Sequence, residues 1–168
     1  MIPVQVLAVQ YLANAAPGLC AGLGIPPGFP SLAMLTTDCD DATYIALDAA
    51  TKAAEVEAAY ARSFYAGSAN ASTPNAGEVI GILAARTPDA ARSGMEAVLR
   101  TLEQVGFEDL DGVPCLAHTV SSVGSFLAAE AGVPLGSAVA YLIAPPLEAM
   151  FALDEALKAA DVILAKLY

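Results

Sequence analysis

The sequence predicts an α+β fold made of tandem copies of one small domain, the second copy incomplete. Two observations carry this expectation: one segment recurs almost unchanged, and strand-like and helix-like patterns precede each occurrence in the same order. Ala46-Leu-Asp-Ala-Ala-Thr-Lys-Ala-Ala-Glu-Val56 aligns with Ala152-Leu-Asp-Glu-Ala-Leu-Lys-Ala-Ala-Asp-Val162, an offset of 106 from 46 to 152, with eight of eleven positions identical. Upstream, Leu7-Ala8 matches Leu116-Ala117 and Ile25-Pro26 matches Val133-Pro134, and a longer loop over Pro26 to Pro30 absorbs the small changes of offset. So long a period implies two tandem domains, because solenoid units recur every ~20 to 50 residues. The expected division is 1–106 for the first domain and 107–168 for the second. The second copy is then expected to stop at the counterpart of Arg62, leaving apolar surface where the equivalents of Met95, Val98 and Leu102 would pack.

The first copy begins with a strand over Val4–Leu12, a short helix over Ala15–Leu23, a strand over Ser31–Asp38 and a helix over Asp41–Ala53. A strand over Val56–Ala66 follows, then a loop of small polar residues from Gly67 to Ala76 and a strand over Glu78–Ala85. The last helix of this copy has Thr87 as N-cap, Pro88 at its first position and Asp89 in its first turn, which suits the helix dipole. Ala91, Met95, Val98, Leu102 and Val105 recur at helical spacing and form one apolar stripe to cover the sheet. No strand or helix is expected over Gly106 to Gly112, and core packing or a linker contact is the plain reading of Phe107. The second copy offers strands at Val113–Val120, Ala138–Ala144 and Val162–Tyr168, with helices at Val123–Ala131 and Leu147–Ala159. Such an order makes a sandwich in which a four- or five-stranded sheet is covered by helices.

Composition narrows the function. Eighteen acidic residues against seven basic ones give a net charge of −11, which repels a phosphate backbone, so nucleic acid is not an expected partner. The most apolar stretch, Ala138 to Ala144, is stopped by Pro145-Pro146, and the first residues lack a basic region, so neither a spanning helix nor a leader is expected. A cytoplasmic protein is the expectation. Three cysteines without C-x-x-C spacing and a single histidine, His118, support neither a closed zinc site nor a catalytic triad. Cys115 and His118 fall on opposite faces of one strand, where core and surface roles outweigh a metal pair. No cofactor motif is present.

Asp38-Cys-Asp-Asp41 sets three carboxylates in four positions, whereas the second copy has Ala144-Pro-Pro-Leu147 there. The fold itself does not need acids at this place. One of them can serve as a helix N-cap, and a pair of them can receive a small cationic amine, each charged hydrogen bond being worth roughly 1.5 to 3 kcal/mol.

Leu153-Asp-Glu-Ala-Leu-Lys-Ala-Ala-Asp-Val-Ile-Leu164 resembles the first helix and following strand of the bacterial microcompartment domain. Asn75-Ala-Gly-Glu-Val-Ile-Gly-Ile-Leu83 with Thr87-Pro-Asp-Ala-Ala-Arg92 resembles its next strand and second helix. A further strand and helix precede this core in each copy, as in the circularly permuted tandem members. Asp40 to Lys52, Tyr60 to Gly67 and Ala140 to Glu148 are similar to the ethanolamine-utilisation, EutL-like branch.

That resemblance implies a homotrimer whose six domains form a pseudohexameric tile with a gated central pore for metabolites, assembled with other shell proteins and without enzymatic activity. It implies Lys52 and Lys158 at the tile edge, where a lysine in the last turn of any helix would also favour the dipole. It further implies ethanolamine, in a small pore between subunits, held by acids matching Asp40, Asp41 and Glu78 and an aromatic residue matching Phe107. Gly67, Ser68, Asn70 and Gly77 belong to the loop expected at the central pore, and a plain surface connector is the alternative. Two other functions compete: an enzyme using Asp40, Asp41 and Glu78 as acid and base, and a soluble trimeric amine-binding sensor that does not assemble.

Overall fold

The computed structural model describes residues 1–63 and 79–167. Strands β1 (Ile2–Pro3) and β2 (Val6–Leu12) lead into helix α1 (Pro17–Leu23), strand β3 (Ser31–Thr37) and helix α2 (Asp40–Ala53). Then come β4 (Val56–Ser63), β5 (Val79–Ala85) and α3 (Pro88–Leu102). The second half holds β6 (Gly106–Leu110), β7 (Val113–Val120), α4 (Ser125–Ala131), β8 (Val139–Ile143) and α5 (Pro146–Ala159).

Two four-stranded antiparallel sheets result, ordered β2-β3-β5-β4 and β1-β6-β7-β8, one for each half as the sequence leads one to expect. The central strands β3 and β5 are buried along nearly their whole length, and α2 and α3 cover them. Helix α3 packs through Ala91, Met95, Val98 and Leu102, the stripe read from its spacing, and the Thr87 hydroxyl accepts the Ala90 amide as its N-cap. Gly94 permits close approach, because a Cβ there would sit 2.9 Å from a Val56 methyl.

The halves repeat in detail. Helices α2 and α5 each span 14 residues and end with equivalent bonds, Ala54 N to Ala50 O and Ala160 N to Ala156 O. Lys52 and Lys158 therefore occupy the same turn of equivalent helices. Helices α1 and α4 each end on a left-handed glycine, Gly24 and Gly132, both with φ of 68°. That conformation is strained for any residue with a Cβ.

Three expectations change. Gly106–Leu110 is a strand that no sequence pattern announces, formed because Asp111-Gly112 turns it back onto β7 with positive φ at both turn residues. The chain's first residues, Ile2–Pro3, pair with this strand and so complete the sheet of the second half. Val162 to Leu167 forms no strand, since it finds no pairing partner among the described residues, and Val162, Ile163, Leu164 and Leu167 are exposed. Leu147, Met150 and Phe151 of α5 are exposed as well, so apolar surface does appear on the second half.

Candidate functional site

The acidic cluster forms where β3 hands over to α2. Thr37, the last residue of β3, is buried, and its hydroxyl lies 2.7 Å from that of Thr43. Both hydroxyls reach the Cys39 carbonyl, which fixes the turn between strand and helix. Asp38 is drawn away from the helix: its carboxylate accepts the Gln5 amide at 2.8 Å. Asp40 and Asp41 open α2, and no side chain caps the helix from Cys39. The N-cap role that sequence left open for an acid is therefore not filled; both acids lie in the first turn, where the helix dipole favours them.

The two are pressed together. Asp40 Oδ1 accepts the Asp41 amide at 2.9 Å. Burial, followed by the charge of Asp40 and a side-chain hydrogen bond from it, pushes the Asp41 carboxyl up to about 6. The Cys39 thiol, half-buried beside the same acids, is raised to about 11, mainly by burial. Tyr44, one turn further on, is raised as well, through burial first and then through the charges of Asp40, Glu130 and Asp41. Its hydroxyl pairs with Ser63. Asp40, Asp41 and Tyr44 of the first half thus lie together, and the charge of Glu130 from the second half, itself paired with Lys166 at 2.9 Å, is felt at Tyr44. Like charges held close in partial burial favour a cation or a proton.

Of the other predicted ligand residues, Phe107 lies on β6, pairs with Ile2 and packs half-buried against the main core. The strand pairing places it in the other sheet from β3, which delivers the acids. Glu78 falls outside the described residues, and so do the loop residues Gly67, Ser68, Asn70 and Gly77. Among the described residues, no group of three or more metal-ligating side chains comes together.

The two lysines differ. Lys52 Nζ lies 3.0 Å from Asp48 and donates to the Ser122 carbonyl at 2.8 Å, so it is engaged with the second half of its own chain. Asp48 is fully buried, and its two oxygens accept the amides of Gly124 and Leu127 at 2.7 and 2.9 Å. An acid on α2 thereby caps α4, whose own N-cap, Gly124, has no side chain to offer. Gly124 is required there: a Cβ would lie 2.5 Å from Thr51 Oγ1 and 2.8 Å from Asp48 Oδ1. Tyr44 adds an edge-to-face contact with Phe126, their ring centroids 5.7 Å apart. Lys158, by contrast, pairs with Asp154 and Glu155 on an exposed face of α5.

Sequence reasoning singled out Asp48 only as a repeat position and missed its capping role, together with Gly124, Tyr44 and Glu130. The available signal was Asp48 standing four residues before Lys52 on a helix whose other neighbours are apolar.

No protein-family model matches the sequence. The chain is 51% identical to the bacterial microcompartment shell protein EutL of Clostridium perfringens, covering 100% of this chain and 79% of that protein. It is 43% identical to EutL of Escherichia coli, over 98% of this chain and 77% of the relative. The crystal structure of the ethanolamine utilization protein EutL from Leptotrichia buccalis superposes with a TM-score of 0.88 at 49% identity, over 95% of this chain and 76% of that one.

Proposed function

The chain belongs to the EutL family of bacterial microcompartment shell proteins, and on that premise we propose that it builds a trimeric, pseudohexameric shell tile with a gated pore and binds a small amine at its acidic cluster. The family membership makes it a shell protein of ethanolamine-utilisation type, placed in the microcompartment shell within the cytoplasm. One observation carries the tile reading: identity to shell proteins runs collinearly through both repeats, so both halves keep the residues of a shell domain. A tile works through assembly and passage and needs no turnover chemistry, and the relatives are named for the shell alone.

Ethanolamine suits the acidic cluster because its ammonium would offset the burial and the like charge of Asp40 that together raise Asp41. The hydroxyl of such a ligand can be met by Tyr44 or by the acids themselves. Two ions at 4 Å interact by about 4 kcal/mol at a surface-like dielectric, so one cation between Asp40 and Asp41 outweighs the screening it loses. Gating by such a ligand requires different affinity for the open and closed states, and a coupling of about 1 to 3 kcal/mol is the expected scale. Other shell proteins are the proposed assembly partners, with Lys52 and Lys158 as the proposed edge residues.

The test combines solution mass with electron microscopy of the purified chain at moderate salt. A mass of three chains and extended sheets support the tile. A trimer that binds ethanolamine by calorimetry and never forms sheets alone or with other shell proteins would instead make it a sensor, and amine turnover would make it an enzyme.

A further inference from the structure

We propose that the groove at the C-terminal end of α2, between Arg86 and the pair Glu55 and Glu57, binds a small zwitterion, a molecule with a carboxylate or phosphate at one end and an ammonium at the other. The site is separate from the acidic cluster. Asp40 opens α2 and Ala54 caps its other end, which sets the two roughly 20 Å apart along the helix axis.

The groove forms where the ladder of β4 and β5 ends. Val56 and Ala85 are its last pair, so Glu55 and Arg86 each stand one residue beyond it on neighbouring chain segments. Glu57 faces Ala84 one pair further in. Side chains alternate along a strand, so Glu55, Glu57 and Arg86 project to the side of the sheet away from α2 and α3. Burial agrees with this: Val56 and Ala85 are buried, and the three charged residues around them are exposed.

Opposite charges set across a sheet in this way ordinarily pair. Here they do not. The Arg86 guanidinium lies instead over the ring of Phe29, 4.8 Å from its centroid, with Nη1 3.6 Å from where a Cβ on Gly28 would stand. Phe29 is itself anchored, half-buried against the cluster of Ile25, Leu32 and Ile82, with its amide donating to the Pro26 carbonyl. Lys52, Lys158 and Lys166 each pair with a carboxylate, whereas Arg86, Glu55 and Glu57 have no ion-pair partner among the described residues. A guanidinium stacked on an aromatic ring is oriented in advance, and its planar fork matches a carboxylate or a phosphate through two hydrogen bonds.

The opposite wall calls for the other charge. Glu55 and Glu57 offer only acceptors to the groove, and the Thr51 hydroxyl beside them already donates to the Asp48 carbonyl at 2.7 Å, which leaves its oxygen to accept. The groove encloses about 400 Å³, inside the range of ~300 to 1,000 Å³ usual for small-molecule sites. A simple anion there is repelled by the two glutamates and a simple cation by Arg86. A zwitterion meets both walls with the matching end.

The repeat shows that the fold does not need these side chains. At the offset of 108 that carries Gly28 onto Gly136, both with positive φ, Phe29 becomes Ser137. At the offset of 106 that relates α2 to α5, Thr51 becomes Leu157 and Glu57 becomes Ile163. The first copy alone carries the aromatic support and the second glutamate.

Calorimetry on the full chain tests the site with glycine and O-phosphoethanolamine as the two zwitterions, and with acetate and inorganic phosphate as the matching anions. One zwitterion is expected to bind once per chain and at least tenfold more tightly than its matching anion; which of the two does so assigns the anionic end. Arg86→Gln, an exposed change, is expected to lower that affinity at least tenfold at an unchanged Tm. Glu55→Gln with Glu57→Gln is expected to abolish the preference for the zwitterion and to strengthen binding of the anion alone. Asp41→Asn, in the acidic cluster, is expected to leave zwitterion affinity as it is, so this site and the amine site stand or fall separately. Absence of binding by both zwitterions at millimolar concentration, equal affinity for zwitterion and anion, or affinity unmoved by Arg86→Gln would each overturn the proposal.

Discussion

Replacing Asp48 with Asn tests the internal seam on which the arrangement of the two halves depends. The carboxylate is fully buried, accepts two amides at 2.7 and 2.9 Å, and lies 3.0 Å from Lys52 Nζ. Hydrogen bonds to a charged group contribute about 1.5 to 3 kcal/mol each. Asparagine retains one oxygen, so it can still accept from one of the two amides. Its NH2 group must then face the other donor, and Lys52 loses its counter-ion. The expected loss is about 3 kcal/mol, at the lower end of the roughly 3 to 5 kcal/mol found when one member of a buried pair is removed. For a chain of this length that corresponds to a fall in Tm of about 6 to 12 °C. Urea unfolding should show the change in midpoint with an unaltered slope. Hydrogen exchange should show lost protection at Gly124 and Leu127. Lys52→Met is the graded comparison: the lysine side chain is 38% exposed, so solvent screens its charge and removal is expected to change stability by under about 1 kcal/mol. If Asp48→Asn matched wild type within 1 kcal/mol and the two amides kept their protection, the capping argument would fail.

Further outcomes are expected at other positions. Gly124→Ala should destabilise by about 1 to 3 kcal/mol through overpacking, and Thr51→Ala in the same chain should recover part of it, read by thermal melting. Thr87→Ala removes the N-cap of α3 and should lower stability by about 1 kcal/mol in urea. Asp41, raised to about 6 from 3.8, binds its proton more tightly in the folded chain than in the unfolded one, so its contribution is fully present below about pH 4 and is lost as pH rises through about 6. Asp41→Asn should flatten that part of the stability profile and, after allowance for screening of a partly exposed group, stabilise the fold at pH 7 by on the order of 1 kcal/mol. The same variant should lose ethanolamine affinity in calorimetry, and equal affinity in both proteins would remove the site from Asp41.

Most of the fold was legible because it is written twice. Periodicity placed α3 and its buried stripe, and the recurrence of Leu-Asp in Leu47-Asp48 and Leu153-Asp154 fixed α2 and α5 as equivalents. What failed is what pairing decides. Gly106–Leu110 has charged residues at two of its five positions and no β-branched residue, so its strand character comes from the Asp111-Gly112 turn and from the partners on either side. Val162 to Leu167 shows the reverse case: a strongly strand-like composition with no neighbour to complete it. In the site, Asp40 and Asp41 were legible as acids that the second copy lacks, but burial of Asp48 was not. Sequence spacing places a residue on a helix face; it does not say that another helix will arrive with uncapped amides.

The duplication explains how one chain can hold a structural acid and the proposed binding acids on the same helix. The Asp48-Lys52 pair of the first copy is kept in the second as Asp154-Lys158. Asp40 and Asp41 are kept in one copy only, their places in the other being Pro146 and Leu147. Pro146 opens α5 without needing an amide partner, so the second copy starts its helix with no acid at all. A ring made of a single repeated domain would have to place the acid pair at every seam, adding like charge to each. With two copies in one chain, the proposed trimer carries the pair at alternate positions, three in all, and the −11 charge of each chain is not concentrated further along the ring. Restoring acids in the second copy, as Pro146→Asp with Leu147→Asp, should then give twice as many amine sites per trimer only if a hydroxyl is also supplied where Met150 stands in place of Tyr44. A doubled calorimetric stoichiometry without that third change would show that Tyr44 takes no part in the site.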